Sequence, residues 1–145
     1  MSYTWLLLHY KLPSEPSARR VYIWRKLKRL GALLLHDVVW ILPNTPRTRE
    51  QFQWLAGEIA ELGGQAILWE SQLVLGEPEE ALVRAFVAQV EATYQEILKA
   101  LNKKTPVLVT LSQQYQQTKQ KDYFQSKLGD RVREALTSAR GGKGT

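Results

Sequence analysis

The stretch from residue 12 to residue 43, LPSEPSARRVYIWRKLKRLGALLLHDVVWILP, leaves few folds open to this chain. Its centre is a basic amphipathic helix, and the residues on either side are apolar strand formers. Ser17 or Ser14 is expected to cap the helix start, Gly31 to end the helix, and residues 32–35 and 38–42 to form paired strands. Within 18–30, Ile23, Trp24, Leu27 and Leu30 fall on one arc at about 100° per residue, and they are expected to face the core. Arg19, Arg25, Lys26 and Arg29 fall on the opposite side. Arg20 lies one turn before Trp24 on the apolar stripe, where a long side chain is expected to snorkel outward. Only His36 and Asp37 are left to turn the chain between the two strands, so a hairpin is expected without Asn-Gly chemistry.

The rest of the chain fits around this segment. Residues 3–10 form a compact apolar run stopped by Pro13 and read as a buried strand. A second helix is expected at 49–62, where Phe52, Leu55, Ile59 and Leu62 repeat at spacings of three and four, with Gly63-Gly64 closing it. Residues 66–70 then supply a fourth strand. The order strand, helix, strand, strand, helix, strand is the split βαβ arrangement, an α+β ferredoxin-like core with a four-stranded antiparallel sheet and two helices. Trp5, Trp24, Trp40, Trp54 and Trp69 each fall in a different element, and core packing is expected for all five ahead of a base-stacking role.

Beyond residue 76 the pattern becomes helical. Glu77-Pro78-Glu79-Glu80 is a helix start, with proline in the first turn and acids at the positive end of the dipole. Leu82, Phe86, Val90, Tyr94, Ile97 and Leu101 carry one stripe for several turns, and 102–106 breaks it. Residues 107–111 alternate like a strand but also fit a helix, and the Gln-rich continuation favours helix. A last short helix is expected at 131–140. The resulting layout is a core at 1–76, a helical extension at 77–140 and a frayed tail at 141–145.

Charge follows the same division. Residues 11–49 carry nine Lys/Arg against Glu15 and Asp37, a net +7; residues 50–98 carry Arg84 against nine Glu, −8; residues 99–145 carry ten Lys/Arg against three acids, +7. Such a layout suits either oppositely charged faces of one protein or a shared basic surface that meets a polyanion. The catalytic alternatives find little support. Without cysteine there is no thiolate nucleophile or thiolate metal site. His9 and His36 are the only imidazoles, too few for a histidine-rich metal centre. Gly63-Gly64 and the terminal Gly-Gly-Lys-Gly-Thr lack the strand, loop and helix context of a phosphate loop. Glu58 with Glu61, and Glu91 with Glu96, read as ordinary exposed helix carboxylates. No apolar run is long enough to cross a bilayer, and residues 1–10 lack the features of a signal peptide, so a cytoplasmic protein with no membrane contact is expected.

Several motifs in the opening segment, taken as a set, resemble the N-terminal domain of the chromate resistance protein B family, bacterial transcriptional regulators of chromate-efflux operons. They are the strand ending in Leu12-Pro13, then Ser17-Ala18-Arg19-Arg20, Trp24-Arg25-Lys26-Leu27 with Gly31-Ala32, and Val39-Trp40-Ile41-Leu42-Pro43. Fainter similarity runs through Gly76, Glu91 and Tyr94 to Asp122-Tyr123-Phe124, while Val90 stands where that pattern has an arginine. The resemblance implies a ferredoxin-like fold and a regulatory role. In full-length members chromate response is attributed to a further C-terminal domain. The segment also looks like the CRISPR adaptation nuclease-like fold shared with phenylacetate-type repressors. Metal-dependent members of that group need an acid at the end of the first strand, and Lys11 in that region opposes a cation.

The resulting expectation is a non-enzymatic, cofactor-free transcription-regulator module that binds DNA as a homodimer. Arg19, Arg25, Lys26 and Arg29 are the candidate phosphate contacts, with Lys119, Lys121, Arg131 and Arg133 assisting. Arg20, Trp24, Gly31, Trp40 and Pro43 are the motif residues with an expected structural role. Two other readings stay open, a dimerisation domain without DNA binding and a metal-dependent nuclease. Arginines also suit an oxyanion such as chromate, for which the sequence shows no pocket.

Overall fold

The computed structural model describes residues 3–141, so the expected tail lies outside the described residues except for Gly141. The chain divides into two units, Met1–Leu82 and Val83–Thr145, and each is described by itself.

The first unit is built on β1 (Trp5–Lys11), α1 (Ser17–Leu30), β2 (Leu33–Leu35), β3 (Val39–Pro43), α2 (Pro46–Glu61) and β4 (Gln65–Ser71). The strands form one antiparallel sheet in the order β2-β3-β1-β4, which is the ferredoxin-like order. β1 lies in the interior of the sheet, between β3 and β4. It pairs Leu6 with Leu42 and Leu8 with Trp40 on one side, and Leu8 with Leu68 and Tyr10 with Ala66 on the other. Side chains alternate across a strand, so these residues share one face of the sheet. Ile23 and Leu27 of α1 and Phe52, Leu55 and Ile59 of α2 complete its core, all buried. The same alternation sends His9, Ile67 and Trp69 to the opposite face, where the Trp69 indole donates to His9 Nε2 at 2.8 Å.

Local chemistry sets the element ends. Gly31 adopts φ +79°, its N–H donates to Lys28 O, and Ala32 N–H donates to Leu27 O. That is a Schellman stop, which needs a residue tolerant of left-handed backbone. No serine caps α1; Pro16 occupies the N-cap in extended backbone and Ser17 is already helical. The hairpin turn is formed by His36 and Asp37, both at positive φ, with Val38 N–H donating to Leu35 O. This is primed-turn geometry in the residue types that tolerate it best after Gly and Asn.

The second helix starts earlier than its apolar repeat predicts. Thr45 and Thr48 form a reciprocal capping box, Pro46 fills the first turn, and the buried Thr48 hydroxyl donates to Pro43 O at 2.6 Å. Capping chemistry, not periodicity, fixes that boundary. At the other end, Gly63 at φ +88° and Gly64 close the helix as expected.

The tryptophans divide in a way the sequence does not foresee. Trp5 and Trp40 are buried at 2% and 5% exposure, but Trp24, Trp54 and Trp69 are exposed at 49%, 70% and 53%. The core arc of α1 centres on Ile23 and Leu27, which leaves Trp24 beyond its edge. Trp54 lies across α2 from Phe52, and Trp69 points away from the helix-covered face.

The second unit contains most of α3 (Glu79–Leu101), with α4 (Leu108–Gln120) and α5 (Lys127–Gly141). The stripe Val90, Tyr94 and Ile97 of α3 packs with Leu111 and Tyr115 of α4 and Val132 and Leu136 of α5. Asp122 accepts from Tyr94 Oη at 3.0 Å and from Ser126 N–H at 3.0 Å. Ser126 Oγ in turn accepts from Leu128 N–H and donates to Glu91. These bonds start α5 at Lys127, four residues before the expected position. Among the described residues no helix is long and apolar enough to cross a membrane.

Candidate nucleic-acid interface

α1 exposes a continuous arc opposite Ile23 and Leu27. It runs from Trp24 through Lys28, Val21, Arg25 and Arg29 to Tyr22, all solvent-exposed. Among the described residues no acidic side chain pairs with Arg25, Lys28 or Arg29. Lys28 Nζ sits 5.7 Å from the centre of the Trp24 ring, and Lys26 Nζ sits 5.2 Å from that of Tyr22. Cations held over aromatic faces keep their charge at the surface while covering apolar area.

The other two expected contacts on this helix serve the fold. Arg19 Nη1 donates to Leu62 O at 3.0 Å, tying α1 to the last carbonyls of α2. Lys26 pairs with Glu58 at 3.0 Å, and Glu58 also accepts from Tyr22 Oη at 2.7 Å. The Tyr22 hydroxyl first, and then Lys26, hold the Glu58 carboxyl below the usual carboxylate range; the bond to Glu58 in turn raises Lys26. Glu58 is therefore a half-buried bracket between α1 and α2, not an ordinary exposed carboxylate. Its partners lie more than thirty positions away, so no local pattern announces it. Lys28 was legible, since it lies beside Arg25 on the helical arc.

The motif residues take up distinct places. Gly31 ends α1, Pro43 is buried and accepts from Thr48, and Trp40 is buried on β3. Arg20 is exposed and faces Tyr10, whose hydroxyl is raised by burial and lowered in part by Trp40 and by the Arg20 charge. Trp24 belongs to the surface rather than to the expected core stripe.

In the second unit, Lys119 lies over the Tyr115 ring and Arg133 is 3.8 Å from Asp130. Both line a cleft of about 160 Å³ between α4 and α5 with Arg140, which no local sequence pattern singles out and which donates to Ser112. Lys121 ends α4, and Arg131 is exposed on α5 outside that cleft. The described residues contain no group of three or more His, Asp or Glu placed to hold a metal ion.

The profile of the family "Protein ChrB, N-terminal" matches residues 20–121. Over 81 residues the chain is 38% identical to Protein ChrB of Cupriavidus metallidurans, an alignment covering 56% of this chain and 25% of that protein. The chain thus spans about a quarter of the curated relative it matches. No solved structure matches it.

Proposed function

Because this chain belongs to the ChrB N-terminal family, we propose that it is the DNA-binding module of a chromate-resistance transcriptional regulator, acting in the cytoplasm as a homodimer and without catalysis of its own. The observation that carries this reading is the outward face of α1, where Arg25, Lys28 and Arg29 stand exposed beside Tyr22 and Trp24 with no acidic partner among the described residues. A surface of that kind contacts phosphates and releases counterions, so its affinity must fall steeply with salt. Lys119 and Arg133 would supply further phosphate contacts from the second unit.

The test is a titration of a mixed-sequence DNA duplex against salt, comparing the natural chain with the Arg25→Ala, Arg29→Ala double variant. Each lost phosphate contact should flatten the log–log slope by about 0.9. Undiminished binding by the double variant would remove the assignment. The alternative is a dimerisation domain without DNA affinity, favoured by exposed Ile67 and Trp69 on the sheet and by Val74 and Leu75, which are almost fully exposed. That alternative predicts no shift even at low salt and a dimer that persists at high salt, because its contact would be apolar.

A further inference from the structure

A cavity of about 590 Å³ in the first unit is not explained by a phosphate-contacting surface. It opens between the start of α1 and the β2–β3 hairpin, over the helix-covered face of the sheet. Its apolar lining includes Val21, Trp24, Leu34, Val38 and Trp40, and three of these, Val21, Trp24 and Val38, are large side chains otherwise left in water. Lys11 at the end of β1 and Arg20 in the first turns of α1 also line it, opposed only by Asp37. Neither cation has a carboxylate partner among the described residues. Tyr10 contributes a hydroxyl at the cavity wall, held within reach of Trp40.

Each element narrows the chemistry of an occupant. The volume falls in the range of small-molecule pockets, and it is far larger than a tetrahedral oxyanion needs. A sugar–phosphate backbone would satisfy Lys11 and Arg20 but would leave the indole, valine and leucine walls without an apolar partner. A neutral hydrocarbon would cover the walls but would desolvate two cations against one acid, which is unfavourable. A flat aromatic body answers the walls, and a carboxylate or sulfonate answers the guanidinium, which accepts such groups in a two-pronged hydrogen bond. We propose that this cavity binds a small aromatic monoanion, with Arg20 and Lys11 holding its acidic group and Trp24, Trp40 and Val38 covering its ring.

The site is independent of whether α1 meets DNA, and its test needs no nucleic acid. Calorimetric titration of the full chain with naphthoate should give saturable one-to-one binding. Naphthylmethanol, which keeps the ring and drops the charge, and cyclohexanecarboxylate, which keeps the charge and drops the flat ring, should each bind about tenfold more weakly. Arg20→Gln should weaken naphthoate by a similar factor and leave naphthylmethanol unchanged, while Trp24→Ala should weaken both ring-bearing probes. Arg20 and Trp24 are exposed, so both variants should keep the natural thermal midpoint; Lys11→Gln provides a second charge variant on another element. Absence of saturable naphthoate binding, equal affinity for the neutral alcohol, or indifference to both Arg20→Gln and Lys11→Gln would overturn the proposal.

Discussion

Replacing Glu58 by glutamine should tighten DNA binding while slightly loosening the fold. In the native protein one Glu58 oxygen holds Lys26 at 3.0 Å and the other accepts from Tyr22 at 2.7 Å. Glutamine can still accept from the tyrosine, but it removes the charge that draws Lys26 inward. If the released ammonium neutralises one more phosphate, the salt slope steepens by about 0.9, and at about 0.1 M salt affinity rises about eightfold. Both members of the pair are partly exposed, so its loss should cost only about 0.5–1 kcal/mol of stability. The pH dependence has a defined sign. Because the Glu58 carboxyl is held low, its contribution is complete above the ordinary carboxylate pKa and disappears as pH falls through the depressed one. Because Lys26 is held high, its contribution disappears only as pH rises through that raised value. The stability difference between the two proteins should therefore be flat around neutrality and close in acid. Fluorescence anisotropy of a labelled duplex over a salt series reads the first effect, and denaturant midpoints against pH read the second. A folded Glu58→Gln protein with unchanged or weaker DNA affinity would refute the placement of Lys26 at the edge of the interface.

Three further outcomes follow from single contacts. Arg19→Ala should lower stability by about 1–2 kcal/mol through loss of the bond to Leu62 O, yet it should weaken DNA binding less than Arg25→Ala in the same salt titration. Gly64→Ala should cost about 3 kcal/mol and lower the thermal midpoint sharply, because the added methyl would meet the Lys11 carbonyl and lie 2.7 Å from Leu12 Cδ2 and 2.9 Å from Ile59 Cγ2. Tyr94→Phe should cost about 1–2 kcal/mol by denaturant titration, as Asp122 loses one of its donors. Burial first, and then Asp122, raise the Tyr94 hydroxyl well above the usual tyrosine range, so removing it should not change the tyrosinate absorbance that develops within that range.

The parts of the fold that were legible are those written in local periodicity and turn chemistry. Alternation and helical repeats placed the six elements of the first unit in order, and Gly31 and Gly63-Gly64 marked two helix ends because left-handed stops need glycine. Boundaries set by side-chain capping do not follow from periodicity. Thr45 with Thr48 begins α2 and Ser126 with Asp122 begins α5, both ahead of the first apolar repeat. The candidate site was legible only where it stays on one helix. Arg25 and Arg29 follow from counting along α1, whereas the diversion of Lys26 to Glu58 and of Arg19 to Leu62 depends on α1 and α2 lying side by side.

Trp24 shows why a helical arc alone is an incomplete guide to burial. At about 100° per residue it lies near 60° from Leu27 and about 100° from Ile23, with Arg20 between it and the core centre. A residue at such a boundary is buried only if a neighbouring element closes over it, and on this side of α1 the neighbour is the short β2–β3 hairpin. That hairpin turns at His36 and Asp37, and instead of covering Trp24 it leaves the opening lined by Asp37, Val38 and Trp40. The large aromatic side chain and Arg20 thus share a cavity instead of a core, and they do so one turn from Lys28, whose ammonium rests over the same indole. Helix α1 therefore divides its circumference three ways: Ile23 and Leu27 hold it to the sheet, Arg25 and Arg29 face solvent with no carboxylate partner among the described residues, and Arg20 and Trp24 form the wall of a pocket. The sequence motif that unites these residues combines core, surface and cavity-wall positions on one helix.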